Sequence, residues 1–274
     1  MATKKSLENK LALVTGAGSG IGRATAQALA AAGARLVVAD VDDARVAETR
    51  RVFGDRCVLA RRVDVSKKEE MRALADDVHA AHGPLDILVN NAGVGHSGGI
   101  LDSTLEDWEW VIGVNLWGVI HGCHFFVPQM VQRGAGGHVV NVASGFGLVA
   151  AAGVAPYCTT KFAVVGLSES LRAELEPHGI GVTAVCPGVI NTDIVARGRF
   201  ADESMRGPVV RTFQRRGRPP EQVARAVLRG IRGNEAVVPV GAEAWAAWIG
   251  KRFAPALTAR VGRRVERMAR SAKA

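Results

Sequence analysis

An apolar run, Leu11-Ala12-Leu13-Val14, passes directly into Thr15-Gly16-Ala17-Gly18-Ser19-Gly20-Ile21-Gly22-Arg23, and a helical pattern then runs from Ala24 to Ala32, where Gly33 ends it. This stretch constrains the fold more than any other. A continuous apolar run suits a strand buried on both faces. A glycine-rich turn between such a strand and a helix lets backbone N–H groups and a helix N-terminus meet a pyrophosphate. The spacing is not G-x-G-x-x-G; it is T-G-x-x-x-G-x-G, with glycines at 16, 20 and 22. A glycine-rich turn without a ligand would use the same residues, so the rest of the chain must decide.

The alternation continues. Apolar runs at 35–39, 57–63, 85–89, 138–142, 180–185 and 236–238 alternate with helical patterns at 43–53, about 66–82, about 104–132, about 157–176 and 221–232. Ser66 and Glu69 have the spacing of a capping box for the second of these helices. No repeat or low-complexity linker interrupts the pattern. It predicts an α/β fold: one doubly wound, Rossmann-like parallel sheet with helices on both faces, over residues 1–241. Residues 193–219, with Gly198, Gly207, Pro208, Gly217 and Pro219, read as a mobile excursion long enough to be a lid.

A chain of 274 residues that is 48% hydrophobic can bury a large core. No apolar run reaches about 18 residues, so no transmembrane helix is expected. MATKKSLENK lacks the apolar segment of a secretory signal. Cys57, Cys123, Cys158 and Cys186 are scattered, and His79 and His82 fit a solvated helix face, so no metal site is predicted. Together these point to a cytoplasmic protein with reduced thiols. The net charge of +9 is uneven: residues 242–274 hold eight basic and two acidic side chains, a net +6.

Several residues sit where a ligand would lie. Asp40 closes the second strand, where a carboxylate can accept from ribose hydroxyls. It would also repel a 2′-phosphate, by about 4 kcal/mol for two unit charges at 4 Å and an effective dielectric of 20. Val41, Asp42 and Asp43 follow it with no cation, and Ser19 is neutral, which predicts NAD over NADP. Asp42 or Asp43 can cap the next helix. Asn90-Asn91-Ala92-Gly93 follows the fourth strand, and Asn115, a mediocre helix former, stands inside a long helix. Ser144 follows the fifth strand. Tyr157 and Lys161, four apart after Pro156, share one helix face. A cation beside a phenol favours phenolate, which brings the group nearer to work at neutral pH.

Taken together, T-G-x-x-x-G-x-G at 15–22, Asp64-Val65, N-N-A-G at 90–93, Asn115, Ser144, Y-x-x-x-K at 157–161 and P-G-x-x-x-T at 187–192 resemble a short-chain dehydrogenase/reductase over roughly residues 8–240. The resemblance implies Gly16, Ser19, Gly20, Ile21 and Gly22 at the pyrophosphate and Asp40 at the adenosine ribose. It implies Asp64 and Val65 at adenine, and Asn91, Ala92 and Gly93 beneath the cofactor. Pro187, Gly188, Ile190 and Thr192 would lie at the nicotinamide carboxamide. Ser144, Tyr157 and Lys161 would form the active triad and Asn115 would complete a tetrad, with Tyr157 and Lys161 also touching the cofactor. Tyr157 would exchange the substrate proton, Ser144 would hold the substrate oxygen, Lys161 would lower the Tyr157 pKa, and Asn115 would hold a water that links Lys161 to solvent.

The expected activity is NAD-dependent hydride transfer to or from a hydrophobic secondary alcohol or ketone. Val94, Phe146, Leu148, Val154, Val189, Ile194, Phe200 and Met205 are the expected apolar walls, while Arg197, Arg199, Arg206 and Arg211 are either solvated or meet an anionic group. His96 reads as a turn residue without a role. The resemblance also implies pairing through helices near 104–132 and 156–176, as a homodimer or homotetramer. No nucleic-acid motif accompanies the basic tail. Trp245, Trp248, Ile249 and Phe253, then Leu257, Val261, Val265 and Met268, make an amphipathic helical extension. It packs on the body or over the cleft, or lies on an anionic membrane surface. The alternative to an enzyme is a non-catalytic NAD-binding sensor or membrane-surface scaffold.

Overall fold

The computed structural model describes residues 6–256. In chain order its elements are β1 (Leu11–Thr15), α1 (Gly20–Ala31), β2 (Arg35–Asp40), α2 (Asp43–Phe53), β3 (Cys57–Arg62), α3 (Lys68–His82), β4 (Ile87–Asn90), β5 (His96–Ser97) and α4 (Leu105–Ile112). They continue as α5 (Gly118–Arg133), β6 (Gly137–Val142), α6 (Ala155–Leu175), β7 (Ile180–Pro187), β8 (Arg199–Phe200), α7 (Arg206–Arg216), α8 (Pro220–Gly233), β9 (Val237–Val240) and α9 (Ala242–Phe253). Seven strands form one sheet in the order β3-β2-β1-β4-β6-β7-β9. Every pairing in it is parallel. The order reverses between β1 and β4, which opens a crevice at the carboxyl edge.

The apolar runs form strands because both faces are covered. On one face Leu29, Val223, Val227 and Ile231 of α1 and α8 pack on Val14, Val38 and Val140. On the other, Met71, Leu74, Phe126, Met130 and Val164 of α3, α5 and α6 pack on Leu13, Val37 and Val139. The helical run Leu105–Arg133 has the length and mean hydropathy, 1.4, of a membrane span. Here it is a core element: Val111, Val119, Phe126 and Met130 are buried.

Several expectations change. Ser66 does not cap α3; Lys67 is the N-cap residue, and the Ser66 hydroxyl donates instead to Asp64 Oδ1 at 2.7 Å. His79 does not lie on a solvated face but meets the Phe126 ring edge-on at 5.5 Å, and burial lowers its pKa. The 193–219 excursion contains β8 and the eleven-residue α7. α9 packs on the body, with Ala244 buried and Lys251 over the Phe162 ring at 4.0 Å. The second stripe of the extension, from Leu257 onward, lies outside the described residues.

Candidate active site

The turn after β1 needs glycine for steric reasons. Gly16 and Gly20 have φ of +63° and +50°, the left-handed region that other residues avoid. A Cβ on Gly22 would lie 2.0 Å from the Gly16 carbonyl oxygen. Ser19, the N-cap residue of α1, makes no side-chain cap bond, and the first turn of α1 holds no acidic residue. The positive end of that helix is therefore not neutralised by a carboxylate of its own first turn. A dinucleotide pyrophosphate fits such a turn.

The turn is fastened from beneath. Thr15 Oγ1 accepts from the backbone N–H groups of Asn91 and Ala92 at 3.0 and 3.1 Å. Asn91 Nδ2 donates back to the carbonyls of Thr15 and Gly16 at 2.8 and 3.2 Å. Asn90 Nδ2 donates to Asn141 Oδ1 at 2.9 Å, and Asn141 Nδ2 to Ser168 Oγ at 3.0 Å. Thr15 entered sequence reasoning only as the first residue of the glycine motif, and Asn141 and Ser168 were not singled out. For Asn141 the signal available was a polar residue inside an otherwise apolar strand; Ser168, on α6, offered none.

Asp40 is buried, and its carboxylate accepts from the N–H of Gly18 at 2.8 Å and of Asp42 at 3.1 Å. Asp42 caps α2, accepting from Arg45 N–H at 3.2 Å. Arg45 was missed because it lies a helical turn beyond the strand end. Its Nη1 donates to Ser19 Oγ at 3.3 Å, and its Nε pairs with Asp42 at 3.2 Å. Asp64 Oδ1 accepts from Ser66 N–H and Oγ–H. The Val65 carbonyl lies 2.9 Å from His121 Nδ1.

Ser144 ends the segment after β6, and Tyr157 and Lys161 lie in the first turns of α6. Ser144 Oγ accepts from Phe146 N–H at 3.1 Å, and Phe146 meets the Tyr157 ring edge-on at 6.4 Å. Burial pushes the Tyr157 phenol up to about 12, against a smaller lowering by the Ser144 hydroxyl. Lys161, only 3% exposed, donates from Nζ to the Val142 carbonyl at 3.1 Å. Burial brings its pKa down to about 8. Lys161 is not among the groups that shift the phenol here. The ammonium is held by Val142 O, 5.7 Å from the Tyr157 ring centroid, and desolvation dominates both groups. Cys158, next to Tyr157, is buried, and burial raises its pKa.

Asn115 lies in a π-helical turn, Gly113–Trp117, between α4 and α5, a local widening that is common at functional positions. Its side chain is fully buried. Oδ1 accepts from Val94 N–H at 2.8 Å, and Nδ2 donates to Val94 O at 3.0 Å and Thr160 Oγ1 at 3.4 Å. A Cβ on Gly93 would lie 3.1 Å from Asn115 Oδ1 and 3.6 Å from Lys161 Nζ, so these three converge. Beyond β7, Pro187 and Ile190 are buried while Gly188 and Thr192 are part-buried. Thr192 returns to the glycine turn, its methyl 3.1 Å from a Cβ on Gly20.

The expected walls divide. Leu148 is a buried core residue. Arg197, Arg199 and Arg206 are paired with Asp193, Asp107 and Glu203. His96 is buried and lies 3.5 Å from Asp107. A depression of about 590 Å³ beside Arg50, Arg51 and Cys57, at the far end of α2, contains none of these groups.

A phenol, an ammonium and a serine hydroxyl thus meet at the carboxyl edge of a nucleotide-type parallel sheet, beside its glycine turn. The family model described as short chain dehydrogenase matches residues 10–202, and the chain belongs to the short-chain dehydrogenase/reductase family of oxidoreductases. It is 43% identical over 246 residues to "Probable oxidoreductase EphD" of Mycobacterium tuberculosis; that match takes in 86% of this chain but only 42% of the relative's length. It is 34% identical to a C alpha-dehydrogenase of Sphingobium, over 84% of this chain and 80% of that one. Among solved structures, a short-chain dehydrogenase/reductase from Burkholderia phymatum in complex with NAD superposes with a TM-score of 0.84 and 32% identity, over 92% of this chain and 96% of that one.

Proposed function

We propose that this chain moves hydride between a nicotinamide cofactor, NAD in preference to NADP, and a hydrophobic secondary alcohol or ketone, with Tyr157 as the general acid and base. The observation that carries this reading is the convergence of Ser144, Tyr157 and Lys161 beside the glycine turn. The alternative of a non-catalytic sensor is not favoured, since sensing needs no proton donor.

The residues fit the dinucleotide. Gly16, Ser19, Gly20, Ile21 and Gly22 would hold the pyrophosphate and Asp40 the ribose. Asp64 and Val65 would hold adenine. Asn91, Ala92, Gly93, Pro187, Gly188, Ile190 and Thr192 would hold the nicotinamide half. When bound, the cofactor gives or takes the hydride. Ser144 donates to the substrate oxygen and steadies negative charge as it develops there. Tyr157, protonated at neutral pH, gives its proton to that oxygen in reduction. Taking a proton requires a lower phenol pKa, which follows if the Lys161 ammonium turns from Val142 O toward the phenol. Asn115 sets the depth of the floor through Val94. Arg45 is the one observation toward NADP, but Asp42 neutralises it.

The walls support an apolar substrate. Phe146, Val189 and Ile194 are part-buried, and Arg197, Arg199 and Arg206 are already paired. A second role for the extension is favoured by the exposed stripe Trp245, Ile249 and Phe253 on α9. With the net +6 of residues 242–274 it would rest on an anionic bilayer and make an otherwise cytoplasmic enzyme peripheral. Pairing of copies through the helices near 104–132 and 156–176 is proposed, where Trp117 remains half exposed; sedimentation velocity would detect it.

The chain has a single tyrosine, which makes the test clean. Tyr157→Phe is expected to keep dinucleotide binding and to lose turnover of apolar alcohols by roughly 10²-fold or more. Undiminished NADH production by that variant would overturn the reading.

A further inference from the structure

We propose that Asp107 latches the segment between β7 and α7 across the mouth of the site, and so acts as a positioning residue for substrate enclosure. This rests on the reading of Tyr157 as the acid and base.

After Pro187 the chain passes Gly20 at Thr192 and then crosses to β5, where β8 pairs in parallel with His96 and Ser97. Arg199 N–H donates to Gly95 O at 3.1 Å and Ala201 N–H to Ser97 O at 2.8 Å. The other edge of the same short strand holds the residues that lead into Tyr157. Gly98 N–H donates to Gly153 O at 2.8 Å, and Ala155 N–H donates to Gly98 O at 3.0 Å. One strand thus joins the strap on one side to the entry of α6 on the other. Two-residue strands have little stability of their own, so side chains must hold the strap down.

Asp107 on α4 does this. Its Oδ1 accepts from Arg199 Nη1 at 3.2 Å, and its Oδ2 accepts from Thr104 N–H at 3.3 Å within the capping box of α4. Arg199 also lies over the Trp110 ring at 4.2 Å, one turn further along α4. The His96 side chain is fully buried, with Nε2 3.5 Å from Asp107 Oδ2, and Nδ1 has no hydrogen-bond partner among the described residues. The carboxylate therefore stands between the cation of the strap and a buried imidazole, fixed in place by its own helix cap. Burial works to raise the Asp107 pKa, but the bonds from Arg199 and Thr104, together with the neighbouring His96, outweigh it and hold the carboxyl below its usual range. An ion pair with an aromatic floor and a capped carboxylate is worth more than an isolated surface pair.

The test is hydrogen exchange on the full chain with Asp107→Asn, which keeps a cap acceptor and removes the charge, and with Arg199→Gln. In both variants the Arg199 and Ala201 amides are expected to exchange about tenfold faster, while the amides of β1 and β4 and the Kd for NADH stay as in the parent. The KM for an accepted alcohol rises more than kcat falls, and Arg199→Lys restores part of the protection. Unchanged exchange at Arg199 and Ala201 in both variants overturns the latch. A uniform rise across β1 and β4 also overturns it, because Asp107 would then only support the fold. Faster strap exchange together with full turnover by Tyr157→Phe would leave the latch standing and remove the acid–base reading.

Discussion

The floor of the site and the strap above it meet at the same sheet edge but are built differently. The floor is a set of short, buried bonds: Thr15 to Asn91 and Ala92, Asn91 to Gly16, Asn115 to Val94. The strap is tied by Arg197–Asp193 and Arg206–Glu203, pairs in which at least one partner is well exposed to water, and at one point by the better-shielded Arg199–Asp107 latch. A buried polar group that loses its partner costs about 1–3 kcal/mol. An exposed ion pair is worth about 0–1 kcal/mol. The floor therefore has one arrangement, whereas the strap away from the Asp107 latch can open at low cost, as the proposed entry of a substrate would require.

The sharpest way to break this contrast is Gly22→Ala. The added methyl meets a backbone carbonyl that cannot move aside, so stability should fall by about 1–3 kcal/mol. NAD affinity should fall with it, read by urea unfolding and calorimetry. Ordinary affinity in this variant would mean that the floor is as yielding as the strap.

Lys161 tests the floor through pH. Its folded pKa, about 8, is below the ordinary 10.5 because burial disfavours the charge. Between those values the unfolded chain keeps a proton that the folded one has released, so the contribution of Lys161 to stability rises with pH across that window, by up to roughly 3 kcal/mol. It should appear as the difference between the parent and Lys161→Met, a reference that shares the buried thiol of Cys123, which burial pushes up to about 12; Cys186 interacts with Lys161 and belongs to the same difference. A difference that falls with rising pH would mean that the ammonium is stabilised by a partner rather than penalised by burial.

Thr15→Val removes one hydroxyl and leaves two N–H groups without their acceptor; a loss of about 1–3 kcal/mol is expected on urea unfolding. At the small end, Arg206→Ala should lower stability to urea only marginally, with dinucleotide binding untouched. A larger loss would show that the strap is part of the folded core.

Much of the fold could be read from the chain because buried parallel strands are apolar on both faces and glycine turns are sterically forced. Leu11–Val14 and Gly16, Gly20 and Gly22 follow from those rules alone. The site was legible where roles depend on local spacing, as with Tyr157 and Lys161 on one helical face. It was not legible where a side chain's partner lies far along the chain. Thr15 finds Asn91, His96 and Asp107 find Arg199, and Arg45 reaches Ser19, all through packing rather than spacing. The state of the phenol belongs with these. Sequence placed a cation four residues from Tyr157, but only the tertiary structure decides that Val142 takes that cation and that burial is the largest influence on both groups.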